Sequence, residues 1–210
     1  MWRVQVFTGI VQGVARVEGV HRSGHVVTLT LGFPEGALQG ASVGCSISVS
    51  GVCLTVTTFD ATTASFDVID ETLRCTTLGA LVEGDAVNFE RSATLGDEIG
   101  GHLLSGHIAG TVEIVGRHEE EGNLRLSLRP PAEHQKHILP KGYVALDGCS
   151  LTVGSVDASS GVFAVHLIPE TRRVTTLDAR AVGGRLNLEV DAWTQAVVAT
   201  VERVLASRDD

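Results

Sequence analysis

An internal duplication is the feature that most constrains the fold of this chain. The segment VSGVCLTV at residues 49–56 returns as LDGCSLTV at residues 146–153. Three further pairs of similar blocks occur in the same order in both halves. They are TGIVQG at 8–13 with SGHIAG at 105–110, ETLRCTTL at 71–78 with ETRRVTTL at 170–177, and VNFE at 87–90 with LNLE at 186–189. Four such pairs in one order indicate that a single structural unit occurs twice.

Between the shared Gly and the shared Leu-Thr-Val of these blocks, the two copies differ at two neighbouring positions. Cys53 aligns with Ser150, and Val52 aligns with Cys149, while the surrounding Gly, Leu, Thr and Val are identical. We infer that the shared letters serve the fold and that the differing pair can carry chemistry. Cys149 is expected to pack as Val52 does.

Each half of the sequence has the pattern of β structure. Short segments rich in Val, Thr, Ile and Phe, several of them alternating with a period of two, are separated by Gly, Asp and Ser. The separations of roughly 8–12 residues are typical of a small antiparallel barrel or a sandwich. A short helical turn is expected at TTLGAL, residues 76–81.

The C-terminal segment has a different pattern. Four apolar side chains recur at helical spacing, namely Val197, Val201, Val204 and Leu205. Thr194 is the expected N-cap. This apolar stripe must pack either on the chain's own barrels or on copies of itself. The predicted organisation is a first barrel over residues 1–101, a second over 102–193 and a helix over 194–210, with a hinge near 92–101.

Composition narrows the possible functions. The chain has 210 residues, enough for two domains of about 100 residues each. Its net charge of −9 argues against nucleic-acid binding, which needs a basic surface. No apolar run approaches the ~20 residues of a membrane span, and no signal peptide is evident. Four cysteines without framework spacing indicate reduced thiols in a cytoplasm.

The quoted motifs together resemble the riboflavin synthase family. The resemblance runs from residue 7 to about residue 206, through FTGIVQG, SISVSGVCLTV, FDVIDETLRCTTL, DEIGGHLLSGHIAGTV, KGYVALDGCSLTV, HLIPETRRVTTL and NLEVD. It implies an all-β fold with two tandem, similar, six-stranded Greek-key antiparallel barrels and a C-terminal amphipathic helix that joins three chains. It also implies a reaction in which two molecules of 6,7-dimethyl-8-ribityllumazine exchange a four-carbon unit. The products are riboflavin and 5-amino-6-ribitylamino-uracil.

The resemblance implies two substrate pockets, which form between neighbouring chains. Its first-half residues are Gly9, Ile10, Val11, Ser46, Cys53, Leu54, Thr55, Asp67, Val68, Ile69, Asp70, Glu71 and Thr72. Its second-half residues are Gly106, His107, Ile108, Lys141, Ser150, Leu151, Thr152, Ile168, Pro169, Glu170, Thr171, Arg172 and Arg173. The residues with implied chemical roles are Ser46, Cys53 and His107, with Asp147 and Asp191 as further candidates.

Simpler interpretations stand beside these roles. Cys53 alone would be a small core residue, and His107 alone a structural histidine. However, His107 aligns with the apolar Ile10, which favours a chemical role. The pair His102 and His107 lacks a zinc spacing and a third ligand, so no metal site is predicted. We also expect no organic cofactor, because both redox partners are the same substrate. The other histidines are expected on the surface or in loops: His118, His134, His137 and His166.

Two function classes remain open from the sequence. The first is the enzyme, with a possible association with lumazine synthase. The second is a non-catalytic lumazine- or flavin-binding protein with the same duplicated barrel. Such binding proteins tend to lose reactive residues in one half, whereas Ser46, Cys53 and His107 are all present here. This favours the enzyme.

Three positions depart from the family pattern. Ser50 stands where Asn is common, and Asp70 stands where Lys, Met or Pro is more usual. Six residues precede Phe7, and Val6 occupies the place of the family's initiating Met. We expect translation to begin at position 6, with residues 1–5 poorly ordered. The alternative is a genuine extension whose Trp2 packs on the first barrel.

Overall fold

The computed structural model describes residues 6–207 as two antiparallel β units followed by one long helix. The predicted all-β fold with a C-terminal helix is confirmed. Residues 1–5, on which the expectations about the chain start and Trp2 depend, lie outside the described residues. Within 6–207 no helix is long and apolar enough to cross a membrane.

The first unit is a closed six-stranded barrel. Its strands are β1 Gly13–Ser23, β2 Val26–Gly32, β3 Ser46–Val49, β4 Val52–Phe59, β5 Thr63–Ile69 and β6 Ala86–Arg91. They pair in the order β1-β2-β5-β4-β3-β6, and β6 closes the barrel on β1. Helix α1, Asp70–Cys75, and a 3₁₀ turn, Thr77–Ala80, connect β5 to β6. The turn expected at residues 76–81 is therefore confirmed.

The second unit repeats this topology and is nearly closed. Its strands are β7 Gly110–Glu120, β8 Asn123–Arg129, β9 Tyr143–Leu146, β10 Cys149–Thr152, β11 Phe163–Leu167 and β12 Arg185–Val190. Its helical segments are a 3₁₀ helix at Ala132–His137, α2 at Pro169–Val174 and a 3₁₀ turn at Thr176–Ala179. Strand β10 ends early. The gap beside β11 is narrowed by the Gly154 N–H, which donates to the Ala164 carbonyl at 2.7 Å.

Alternating apolar residues fill each barrel. In β2 the side chains of Val27, Leu29 and Leu31 are buried, and their neighbours in the strand are only partly so. Strand β8 does the same with leucines at alternate positions, because successive side chains of a strand point to opposite faces. Burying such a side chain contributes roughly 1.5–3 kcal/mol. The two cores are separate, so each barrel has its own hydrophobic interior.

Two hairpin turns pack back to back between the barrels. Ser50-Gly51 joins β3 to β4, and Asp147-Gly148 joins β9 to β10, with all four residues at positive φ. Two-residue hairpins require this left-handed backbone, and Asn tolerates it better than Ser does. A Cβ on Gly51 would lie 2.8 Å from the Gly148 nitrogen. Glycine is therefore required where the two turns meet.

Two buried asparagines join the barrels across the same contact. The Asn88 amide donates to the Asp147 carbonyl at 2.9 Å, and the Asn187 amide donates to the Ser50 carbonyl at 2.8 Å. The Asn88 and Asn187 side-chain oxygens accept backbone N–H bonds from the opposite half, at 2.7 Å each. Because each bond has its equivalent in the other half, the two halves are related by an approximate two-fold axis.

Helix α3, Ala192–Ala206, begins two residues earlier than predicted. Asp191 and not Thr194 is its N-cap, so that part of the prediction was wrong. The Asp191 carboxylate accepts the Thr194 N–H at 2.8 Å and the Thr194 hydroxyl at 2.7 Å. Both residue types can cap a helix, and a carboxylate also suits the positive end of the helix dipole. None of the α3 residues is buried, and Glu202 forms an ion pair with Lys136 at 2.7 Å.

His134 and His137, expected on the surface or in loops, lie in the connection between β8 and β9 but are not exposed. His137 is buried, and His134 is partly buried with its Nε2 2.9 Å from the Ala109 carbonyl oxygen. Both belong to the 3₁₀ helix at Ala132–His137, which packs near α3. The local sequence is polar, and only this packing buries the histidines.

Candidate functional site

Two short segments, residues 7–10 and 104–107, meet on the approximate two-fold axis. Phe7 and Leu104 form an antiparallel bridge in which each N–H donates to the other's carbonyl at 2.9 Å. Both side chains are buried. The bridge fixes the starting point from which each segment crosses to the opposite barrel.

The segments are exchanged between the halves. The Cys53 N–H in the first barrel donates to the Gly106 carbonyl at 3.0 Å, and the Ser150 N–H in the second donates to the Gly9 carbonyl at 2.9 Å. The grouping of pocket residues by half was therefore wrong. The segment with His107 belongs with Cys53, and the segment with Ile10 belongs with Ser150.

The exchanged segments approach the strands so closely that they need glycine. Gly106 and Gly9 both have φ of +75°, a conformation that L side chains rarely adopt. A Cβ on Gly106 would lie 2.5 Å from the Cys53 Cβ, and one on Gly9 would lie 2.5 Å from the Ser150 Cβ. The backbone frame is thus the same at both places.

A buried carboxylate holds each segment. Glu90 on β6 accepts the Thr8 N–H at 2.6 Å, the Thr8 hydroxyl at 2.7 Å and the Gly9 N–H at 3.0 Å. Glu189 on β12 accepts the Ser105 N–H at 2.7 Å, its hydroxyl at 2.8 Å and the Gly106 N–H at 3.0 Å. Burial raises the pKa of both carboxyls. Sequence reasoning missed them, although their recurrence in NFE and NLE was a usable signal.

The first site contains the three residues with implied chemical roles. Cys53 on β4 is partly buried, Ser46 on β3 is buried beside it, and His107 is exposed. Burial raises the pKa of the Cys53 thiol, the Ser46 side chain beside it lowers it, and the charge of Glu189 raises it further. The thiol is therefore protonated at neutral pH. His107 directly follows Gly106, whose carbonyl accepts the Cys53 N–H, and an imidazole is a side chain that can serve as a general acid or base.

The second site carries different side chains on the same frame. The Ser150 hydroxyl and Nδ1 of His102 share a hydrogen bond of 2.6 Å, and the His102 ring stacks on Tyr143 with centroids 5.2 Å apart. Tyr143 stands in the register position of Ser46, opposite a threonine on the next strand. Burial lowers the pKa of His102, which keeps this imidazole neutral, while the charge of Asp191 acts the other way.

Two of the further candidates hold structural positions. Asp147 is fully buried in its turn, where it accepts the Asn187 N–H at 2.8 Å and pairs with Arg180 at 3.3 Å. Burial raises the pKa of Asp147 to about 6, although Arg180 opposes the shift. Asp191 caps α3. Cys149 packs in the second core, buried like Val52 in the first, as expected.

The remaining implied residues divide by side-chain direction. Val11, Leu54, Val68 and Leu151 are buried in the cores, so only their backbones can meet a ligand. Others are exposed on strand ends, turns and short helices: Thr55, Asp67, Ile69, Asp70, Glu71, Lys141, Thr152, Ile168, Pro169 and Glu170. A third group is partly exposed: Thr72, Ile108, Thr171 and Arg172.

The recurring Glu-Thr-x-Arg blocks form matched ion pairs on α1 and α2. Glu71 pairs with Arg74, and Glu170 pairs with Arg173 at 2.6 Å. Exposed pairs of this kind contribute little stability, typically less than about 1 kcal/mol. Within residues 6–207 no group of three or more His, Cys, Asp or Glu side chains could hold a metal ion.

Comparison with known proteins assigns this chain to a family. Residues 8–92 and 105–191 each match the lumazine binding domain family. Riboflavin synthase of Escherichia coli (strain K12) is 46% identical over 206 residues, covering 98% of this chain and 96% of that protein. Riboflavin synthase of Chlamydia pneumoniae is 43% identical over 202 residues, covering 96% of this chain and 98% of that protein.

Solved structures share the fold. LumP complexed with 6,7-dimethyl-8-(1'-D-ribityl) lumazine superposes with a TM-score of 0.79 at 23% identity, over 88% of this chain and 99% of that one. LumP complexed with riboflavin superposes with a TM-score of 0.80 at 24% identity, over 87% and 98%. At this identity the likeness concerns the fold, whereas the sequence relatives bear on function. The chain belongs to the riboflavin synthase family and contains the lumazine binding domain twice.

Proposed function

We propose that the chain binds two molecules of 6,7-dimethyl-8-ribityllumazine, one at the Cys53 site and one at the Ser150 site of a partner copy. It then transfers a four-carbon unit between them, giving riboflavin and 5-amino-6-ribitylamino-uracil. Members of its family are transferases, and the lumazine binding domain occurs in both halves. The observation that carries the proposal is one backbone frame, used twice, with different polar side chains.

The shared frame supports recognition of the same molecule twice. Thr55 and Thr152 are exposed two residues beyond Cys53 and Ser150, in the same register on β4 and β10. Their hydroxyls, with backbone N–H and carbonyl groups nearby, suit the polar edge of a pteridine ring. Holding two such rings in reacting geometry supplies much of the rate, because orientation replaces an improbable encounter.

The differing side chains support opposite parts for the two molecules. The 7-methyl group of one lumazine must lose a proton, so that its carbon can add to the ring of the other. His107 is the exposed imidazole of the first site and takes up and returns the proton in our proposal. Cys53 and Ser46 supply a protonated thiol and a hydroxyl beside the ring. The second site, with a neutral His102 and Ser150, serves the less reactive partner.

Neighbouring chains complete the pockets in this proposal. His107, Thr55 and Thr152 are exposed in the single chain, as an incomplete site would leave them. The α3 stripe is also uncovered, since Val197, Val201, Val204 and Leu205 are each 48–62% exposed. An uncovered apolar stripe on a helix marks an association surface, and we propose a homotrimer formed through α3. Residence in the cytoplasm, predicted from the cysteines, and association with lumazine synthase remain predictions.

The test is incubation of the purified chain with the lumazine alone. We expect riboflavin to form at one molecule per two lumazines consumed, followed by absorbance and chromatography. Activity should survive exhaustive chelation, and a requirement for one added metal would contradict the metal-free mechanism. Protein that stays fluorescent with bound lumazine and makes no riboflavin would identify a binding protein instead.

A further inference from the structure

Each of the two buried carboxylates, Glu90 and Glu189, holds the segment that packs against the opposite barrel. Glu189 extends from β12 of the second barrel, but the backbone it holds, Ser105 and Gly106, lies against Cys53 of the first. Glu90 is the counterpart, because it extends from the first barrel and holds the segment that lies against Ser150. The two carboxylates are 6% and 3% exposed, so neither is available to bind substrate directly.

We propose that Glu189 is a positioning residue for the Cys53 site, acting from the other barrel. Its two oxygens take all three donors of Ser105 and Gly106, which fixes the Gly106 carbonyl on the Cys53 N–H. The Ser105 hydroxyl in turn accepts the His107 N–H at 3.2 Å. The chain of contacts therefore runs from Glu189 to the backbone of the residue that carries the imidazole. This inference deepens the proposed function and rests on it.

The charge of Glu189 also acts on the reacting groups. Burial raises the pKa of Cys53 and the charge of Glu189 raises it further, while burial raises the pKa of Glu189 and the charge of His107 opposes that shift. The charge of Glu90 acts on the buried Cys149 instead. The two carboxylates also repel each other. Glu90 and Glu189 therefore make the same hydrogen bonds but have different neighbours. Of the two, only Glu189 lies near both a thiol and an exposed imidazole.

A carboxylate is the side chain that this geometry requires. Three donors converge on two acceptor oxygens, which a carboxylate accommodates without leaving a buried N–H unpaired. A glutamine has one acceptor oxygen, and its NH₂ group would face the Ser105 or Gly106 N–H. Leaving a buried donor unpaired is costly, so the segment would shift away from Cys53.

The experiment compares Glu189→Gln with its matched control Glu90→Gln in the full chain. Both should lower the unfolding temperature to a similar extent, because the lost hydrogen bonds are the same. We expect Glu189→Gln to lower kcat at least about tenfold and to shift the pH profile of kcat. Glu90→Gln should act mainly on KM, with a much smaller loss of kcat. Equal effects of the two variants on kcat and on its pH profile would overturn the proposal.

Two further measurements keep the result interpretable. Cys53→Ser is run in parallel: if it retains full turnover the proposed site itself is wrong, whereas a slow Cys53→Ser with equal glutamine variants overturns only the positioning role. If Glu189→Gln does not fold, Ser105→Ala removes one of the three bonds and should lower kcat several-fold. Ser105→Thr should restore kcat, since Thr8 makes the same bond in the first half. Wild-type kcat in Ser105→Ala would then overturn the proposal.

Discussion

The Cys53 and Ser150 sites have the same backbone arrangement and different side chains. At each site the carbonyl of a glycine at positive φ accepts a strand N–H, and the serine or threonine before that glycine donates to a buried glutamate. A threonine lies two residues further along the strand from Cys53 or Ser150. The side chains then differ: Ser46 and His107 at one site, Tyr143 and Ile10 at the other. Duplication therefore kept one backbone frame at both sites, while the side chains on it diverged.

The largest expected effect comes from replacing the close-contact glycine of one site at a time. Gly106→Ala places a Cβ 2.5 Å from that of Cys53, and Gly9→Ala places one 2.5 Å from that of Ser150. We expect each to destabilise the fold by roughly 2–4 kcal/mol, measured by urea unfolding. Gly106→Ala should lower kcat at least about a hundredfold, because orientation at the reacting centre is lost. A larger loss of kcat in Gly9→Ala would reverse our assignment of the two sites.

Removing α3 tests whether both sites depend on a neighbouring chain. Truncation after Asp191 should give monomers by analytical ultracentrifugation, with turnover lowered about thirtyfold as the paired substrates lose their common frame. A truncated monomer that keeps full activity would contradict both the trimer and the shared pockets.

Side-chain substitutions sharpen the chemical difference between the sites. Cys53→Ser and His107→Gln should each lower turnover at least about tenfold, roughly 1.4 kcal/mol of transition-state stabilisation. Ser150→Ala at the second site should cost less in kcat, and the core variant Cys149→Ala should mainly lower stability. Steady-state kinetics with thermal unfolding separates these outcomes. If Cys149→Ala were the most damaging to turnover, the alignment of the two repeats would be wrong.

An effect on stability alone is expected at the two turns between the barrels, where Asp147 corresponds to Ser50. Burial raises the pKa of Asp147 to about 6, above the value of roughly 3.9 in an unfolded chain. The associated stability is complete below about pH 4 and is lost as pH rises through about 6.

Asp147→Asn removes this titration, and asparagine tolerates the turn conformation. The free energy of unfolding of the wild type, relative to Asp147→Asn, should therefore fall by about 1–3 kcal/mol between pH 4.5 and pH 7.5. Urea unfolding at both pH values measures it. Ser50→Ala, at the corresponding turn, keeps Asp147, so the stability of the wild type relative to Ser50→Ala should not change with pH. A wild type that gains stability with pH relative to Asp147→Asn would contradict the assignment.

The duplication made much of this fold predictable and also concealed its main surprise. Aligning Gly9 with Gly106 and Cys53 with Ser150 identifies equivalent residues. It does not say whether a segment packs on its own barrel or on the other, because both arrangements satisfy the same local contacts. The exchange became visible only with the hydrogen bonds from Cys53 to Gly106 and from Ser150 to Gly9. The alignment therefore gives the equivalent residues of the two halves, but not the barrel on which each segment packs.

Other misses have local causes. The repeat ends near Asp191, so no second copy helped to choose between Asp191 and Thr194 as the helix cap. His102 was weighed only as a metal ligand, since its bond to Ser150 joins residues far apart in sequence. The alternation in β2 and β8, by contrast, depends only on neighbouring residues, and the core residues of those strands follow directly from it.

The exchanged segments determine the order in which contacts can form while the chain is being synthesised. As the chain leaves the ribosome, the first barrel has all six of its strands before Gly106 exists to cover Cys53. The segment at Gly9 must wait longer still, until Ser150 has been made. Contacts this distant in sequence form slowly, and unpaired strand N–H groups invite wrong partners meanwhile. A nascent first half should therefore be a substrate for chaperones until the second half releases it.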